Sequence, residues 1–153
     1  MEIKFYKYQG AGNDFVIIDD REECFDRSNT KLVKFLCDRR FGIGGDGVIF
    51  IRNPDGDNFA KMIIYNSDGS EAEMSGNGVR LFSKFVLDNN LTDFDGEVFT
   101  VETGGGVREV FPVFDNGEMI SAKIAMGKPK FLRDEIPVSQ DIFKDNADVN
   151  ELV

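Results

Sequence analysis

The chain has no histidine and no tryptophan, only two cysteines, and 18 basic residues against 28 acidic ones. Each shortage closes a class of function. Without histidine, the commonest general base and metal ligand is missing, so a Ser-His triad cannot be built and no metal centre of the His/Cys kind is expected. Cys24 and Cys37 form no CxxC pair and read as reduced thiols of a cytoplasmic protein. A formal net charge of −10 leaves no basic footprint for nucleic acid. No run of about 18 apolar residues occurs, so no membrane span is expected. Met1-Glu2-Ile3-Lys4-Phe5 has a strand pattern and lacks the apolar core of a signal peptide. What remains is 153 residues, 41% apolar and 30% charged, enough for one globular domain with a proper core.

Periodicity places the elements. Ile3 to Tyr8 alternates with period two and Phe15 to Ile18 is a short apolar run, so both read as strands around a glycine loop carrying Asn13 and Asp14. Ser28 to Arg40 reads as a helix. Ser28, Asn29 and Thr30 are its candidate N-caps, and Arg39, Arg40 and Gly42 suit its end. Val48 to Ile51 and Ala60 to Tyr65 are strands separated by the turn Asn53-Pro54-Asp55-Gly56. A second helix opens at Gly76 and runs to about Asn89; its apolar residues cover too much of the circumference for a surface helix, so it is expected to be buried. Glu97 to Glu102, Val107 to Phe114 and Met119 to Ala125 are three more strands, the last two joined by a hairpin at Asp115-Asn116-Gly117. Hairpins around one apolar helix predict an α+β domain with a mostly antiparallel sheet over residues 1–126. Residues 127–153 read as a linker or the start of a further half, and Asp141 to Val153 is polar and acidic with no clear partner face.

The most informative stretch runs from Tyr65 to Arg80. A polar turn leads through Ser75 into Gly76-Asn77-Gly78 and an apolar helix. The first N–H groups of such a helix lack intrahelical partners, and the helix dipole is positive there, so the terminus suits an anion. The glycines are expected to keep side chains clear of an approaching carboxylate. Ser75 reads either as a plain N-cap or as a residue beside the ligand. Asn13, Asn66 and Asn77 offer amide donors and acceptors suited to the charged ends of an amino acid. Glu71 and Glu73, two apart in a loop, read as a solvated face, and Arg80 as the partner of a carboxylate. Gly42-Ile43-Gly44-Gly45-Asp46-Gly47 matches GxGxxG, but a helix precedes it and a strand follows, the reverse of a dinucleotide fingerprint. It reads as a helix end plus turn, or as a loop lining the site.

Three segments in order, Gly10-Ala11-Gly12-Asn13-Asp14-Phe15, Arg40-Phe41-Gly42-Ile43-Gly44-Gly45-Asp46-Gly47 and the Ser75-Gly76-Asn77-Gly78 stretch, resemble the diaminopimelate epimerase family of the lysine and cell-wall pathway. The resemblance implies a sheet wrapped around a buried central helix, built twice in the full protein. It implies a small amino-acid substrate, LL-diaminopimelate converted to the meso form, with no cofactor. It carries substrate binding onto Asn13, Asn66, Gly76 and Asn77, and a catalytic role onto the position of Ser75, where the family has cysteine. A thiol is the better base there, because its pKa of about 8.5 falls further at a helix N-terminus. Leu81 replaces a residue that is often cysteine in the family, a change read as packing only. With Ser75 in place, and the family's second cysteine-bearing half lying beyond these residues, the chain alone is expected to be inactive. Other amino-acid racemases or isomerases of the same fold, and a non-catalytic protein that binds small anions, are the rival readings. From about Lys128 onward an uncovered edge is expected to fray or to recruit a second copy, as in a homodimer.

Overall fold

The computed structural model describes residues 3–26, 29–91, 94, 96–132 and 135–136. The chain order is β1 (Tyr6–Gly10), β2 (Asn13–Asp19), α1 (Thr30–Cys37), β3 (Gly47–Arg52), β4 (Ala60–Asn66), β5 (Glu71–Ala72), α2 (Gly76–Asp88), β6 (Phe99–Thr103), β7 (Gly106–Asp115) and β8 (Glu118–Ile124). The strands form one sheet in the order β1-β2-β3-β4-β6-β7-β8, with the short β5 beside β4. The fold is α+β, but the sheet is mixed. β2 pairs with β3, and β4 with β6, in parallel, while the other pairs are antiparallel. The reason lies in the connections. A helix separates β2 from β3 and another separates β4 from β6, and a helical crossover returns the chain to the end where the previous strand began.

The two crossover helices lie on opposite faces, and the period-two alternation of the strands sorts the core between them. Phe15, Ile17, Ile49, Ile51, Met62 and Ile64 pack with Val79, Phe82, Phe85 and Val86 of α2. Their neighbours Val16, Ile18, Val48, Phe50, Ile63 and Tyr65 pack with Val33, Leu36 and Cys37 of α1. β3 is therefore buried at every residue, as a strand covered on both faces must be. α2 packs against β1 to β4 and also against β7 and β8, so the sheet curls over it. One face of the helix stays partly open: Arg80, Lys84 and Leu87 are half-buried and Asp88 is exposed, while Gly78, Val79, Leu81, Phe82, Ser83, Phe85 and Val86 are buried.

α1 is shorter than the periodicity predicts. Asn29 is its N-cap, accepting from the Leu32 N–H at 3.1 Å. Ser28, another candidate cap, lies outside the described residues. The helix stops at Cys37 because Asp38 turns extended and its carboxylate takes the N–H groups of Arg40 and Phe41 instead. The predicted hairpin between β7 and β8 is present, with Asn116 and Gly117 both at positive φ as a tight two-residue turn demands. The stretch Asp141 to Val153 falls outside the described residues. Among the described residues, no helix is long and apolar enough to cross a membrane.

Candidate functional site

The topology gathers four chain segments at one end of the sheet. β2 and β3 run in parallel with Phe15 opposite Gly47, so the two strands start at the same end of the sheet, staggered by two residues. β4 is antiparallel to β3 and delivers its last residue, Asn66, opposite Gly47. The chain then turns through β5 into the start of α2. Gly47 permits this convergence, because a Cβ there would fall far inside contact distance of the Tyr65 carbonyl. Asn13 and Asn66 thus stand at strand ends, not within loops. The loop expected before Asn13 is a two-residue turn, Ala11-Gly12, with Gly10 paired to Asn13. Both turn residues have positive φ, Ala11 at 53° and Gly12 at 84°.

The side chains at this end are joined in one network. Asn77 Nδ2 donates to Asn13 Oδ1 at 2.7 Å, and Asn13 Nδ2 donates to Asp46 Oδ2 at 3.0 Å. The Asp14 N–H donates to the same Asp46 oxygen at 3.1 Å. Arg39 holds both acids. It grips Asp14 through two hydrogen bonds of 2.9 and 2.6 Å and reaches Asp46 Oδ1 at 2.9 Å. Lys7 of β1 pairs with Asp14 at 2.7 Å and donates to the Gly44 carbonyl. The Arg39 guanidinium, assisted by Lys7 and opposed by partial burial, holds the Asp14 carboxyl well below the usual carboxylate range. Arg80 does not pair with a carboxylate among the described residues, contrary to expectation. It donates to Asn77 Oδ1 instead.

Ser75 is extended, with φ −141° and ψ 122°, and caps α2. Its Oγ accepts from the Gly78 N–H at 3.0 Å and its carbonyl from the Val79 N–H at 2.8 Å. The N–H groups of Gly76 and Asn77 have no partner among the described residues. These two donors at the positive end of a helix, beside the Asn13–Asn77 pair, suit a carboxylate. The two glycines have different surroundings. A Cβ at Gly76 would make only ordinary contact with Met126, while Gly78 is buried against Ile64 in the core.

Of the sequence-predicted residues, Asn13, Ser75, Gly76 and Asn77 come together. Asn66 stands next to them, since the following Ser67 N–H donates to the Asp46 carbonyl at 3.1 Å. Its amide, however, is tied to its own turn through Ser70 Oγ at 3.0 Å. Glu71 is exposed and accepts from the Tyr65 hydroxyl, and Glu73 is exposed. The GxGxxG run forms the helix end plus turn. The N–H groups of Gly42, Ile43, Gly44 and Gly45 satisfy carbonyls at and just past the end of α1, and the run then presents Asp46 to the site. Sequence reasoning missed Arg39, Lys7 and the joining role of Asp46. The usable signal was an Asp-Gly pair at a strand start facing an arginine at a helix end.

Neither thiol replaces Ser75. Cys24 is exposed at the far end of β2, lining a cleft of about 800 Å³ with Asp19, Arg21 and Phe25. Cys37 is nearer to the network but is buried, and burial pushes its thiol pKa up. Among the described residues, no cluster of three His, Cys, Asp or Glu side chains could hold a metal ion.

A family model described as diaminopimelate epimerase matches residues 5–132. The diaminopimelate epimerase of Methanococcus maripaludis is 41% identical over 136 residues, covering 89% of this chain and 48% of that protein. That of Archaeoglobus fulgidus is 41% identical over 145 residues, covering 94% of this chain and 50% of that protein. The chain spans about half the length of the curated relatives it matches. Among solved structures, a probable proline racemase from Agrobacterium radiobacter K84 superposes with a TM-score of 0.65 at 16% identity, covering 80% of this chain and 41% of that one. At that identity the likeness concerns the fold alone.

Proposed function

Because the chain belongs to the diaminopimelate epimerase family, we propose that the start of α2 is the carboxylate-holding part of an amino-acid epimerase site of the lysine and cell-wall pathway, with LL- and meso-diaminopimelate as its ligands. The observation that carries this reading is the Asn77–Asn13 hydrogen bond of 2.7 Å beside the two unpartnered N–H groups of Gly76 and Asn77. Those groups hold the α-carboxylate. They also favour the negative charge that develops when the α-proton leaves, and being fixed in advance they need no reorganisation at that moment. Asn66 closes the same end of the site. No cofactor takes part in this reading, the substrate is a small amino acid, and the protein acts in the cytoplasm.

Inversion at the α-carbon needs a base on one face and an acid on the other. In this reading the first stands at position 75 and the second faces it from outside residues 1–126. Ser75 is a poor base. An alcohol is far less acidic than a thiol, the chain contains no histidine to activate it, and its Oγ is engaged by the Gly78 N–H. We therefore propose that this chain binds the substrate but does not turn it over. The capping bond of Ser75 also favours a second reading, a family member that holds small carboxylates without catalysis. Exchange of the α-proton of diaminopimelate in deuterated water, followed by proton NMR, tests the proposal. No exchange above buffer is expected, whereas clear exchange by the purified chain would sink the claim of inactivity.

A further inference from the structure

We propose that Asp46 and Arg80 are positioning residues that lock the polarity of the Asn13–Asn77 amide pair, so that the site offers donors and accepts only an anionic ligand group. This rests on the carboxylate reading above and goes beyond it by naming what enforces the selectivity. An isolated asparagine amide presents an oxygen or a nitrogen equally well, because a half-turn about its last bond exchanges them. Here the exchange is blocked at both ends. Asp46 Oδ2 also accepts from the Asp14 N–H and faces Asn13 as an acceptor, so the group of Asn13 turned to it is Nδ2. The other end of that amide, Oδ1, then requires a donor, and Asn77 Nδ2 supplies it. Asn77 is left with Oδ1 toward Arg80, a guanidinium with donors and no acceptor. Flipping either amide sets oxygen against oxygen or N–H against N–H at two contacts at once.

The chain of bonds thus runs in one direction, Arg80 to Asn77 to Asn13 to Asp46, and Arg39 anchors its acidic end at 2.9 Å. Each amide spends one N–H inside the chain and keeps one uncommitted among the described residues. Together with the Gly76 and Asn77 backbone N–H groups, the site is rich in donors. An anionic carboxylate satisfies donors. A neutral carboxamide brings N–H groups of its own and leaves some of them facing N–H groups.

The test uses the uniformly ¹⁵N-labelled protein and its side-chain amide resonances. Asp46→Ala removes the acceptor at one end and Arg80→Ala the donor at the other. Each variant is expected to shift the amide resonances of both Asn13 and Asn77 and to speed their exchange with water. The two variants enter from opposite ends, so if one fails to fold the other still decides. A second arm titrates meso-diaminopimelate, where Asp46→Ala is expected to weaken binding about tenfold, the effect of losing roughly one charge-assisted hydrogen bond. If each variant moves only the asparagine it touches, the lock is overturned, whatever the ligand does. If both asparagines respond and diaminopimelate binds neither wild type nor variant, the lock stands and the substrate reading falls.

Discussion

Asn77, on the first turn of α2, donates to Asn13, on the first residue of β2, across 64 positions of sequence at 2.7 Å. That bond joins the helix whose N-terminus offers free N–H groups to the strand whose start is held by Asp46. Replacing Asn77 with alanine leaves Asn13 Oδ1 and the Arg80 guanidinium without their partner. A loss of about 1–2 kcal/mol is expected in urea unfolding, since a half-buried polar group left unpaired costs about that much. A change below roughly 0.3 kcal/mol would mean that water replaces the amide without cost.

The acid limb of stability should depend on Asp14. Its folded-state pKa is depressed by Arg39 and then Lys7, against an unfolded value of about 3.9. A depressed carboxyl contributes stability above the unfolded pKa and loses it as the pH falls through the folded one. Asp14→Asn is therefore expected to be less stable near neutrality and to show a shallower fall below about pH 4. Urea midpoints collected from pH 7 downward check this. Parallel curves for the two proteins would remove Asp14 from the account.

Gly47 should tolerate no side chain. Gly47→Ala is expected to cost at least about 2 kcal/mol, because the added Cβ meets the fixed Tyr65 carbonyl between two paired strands. Near-neutral thermal unfolding of that variant would show that the strand ends part easily.

At Ala11, φ of 53° is unfavourable for any residue with a Cβ. Ala11→Gly is expected to be neutral or to stabilise by up to about 1 kcal/mol, and Ala11→Val to destabilise by about 1–2 kcal/mol. Calorimetry of both variants decides. The reverse order would mean that the turn is set by ligand or neighbours and not by backbone preference.

What the sequence made legible follows physical range. The start of α2 was readable because Ser75, Gly76 and Gly78 act within a few residues of one another, and the Asn116-Gly117 turn because its two positive φ values are a local demand. The mostly antiparallel reading of the sheet holds for five of the seven strand pairs among the described residues, but it did not name the two parallel ones. It weighed turn residues between neighbouring strands and overlooked that α1 and α2 each carry the chain back across the sheet. The ties of Asp46 to Asn13 and Asp14 were hidden for another reason. They span 33 and 32 positions and exist only once β2 and β3 lie side by side. Arg80 was assigned a carboxylate partner from its type alone, and its place one turn after Asn77 supplied an amide oxygen instead.

Position 75 can be separated from the rest of the site. Ser75→Cys is expected to fold as the parent does, since a thiol sulfur also accepts weakly, and to show a thiol pKa lowered by the free N–H groups around it. Alkylation rate against pH reads that value. A pKa at or above about 8.5 would mean that the helix terminus exerts no useful field there.

In the proposed function an α-carboxylate is held by the Gly76 and Asn77 N–H groups. Titrating meso-diaminopimelate into ¹⁵N-labelled protein and following the backbone amides tests it most directly. Saturable shifts are expected, greatest at Gly76 and Asn77, with Asn13 and Asp46 following and the amides around Cys24 unmoved. Shifts centred elsewhere, or none at millimolar ligand, would contradict it.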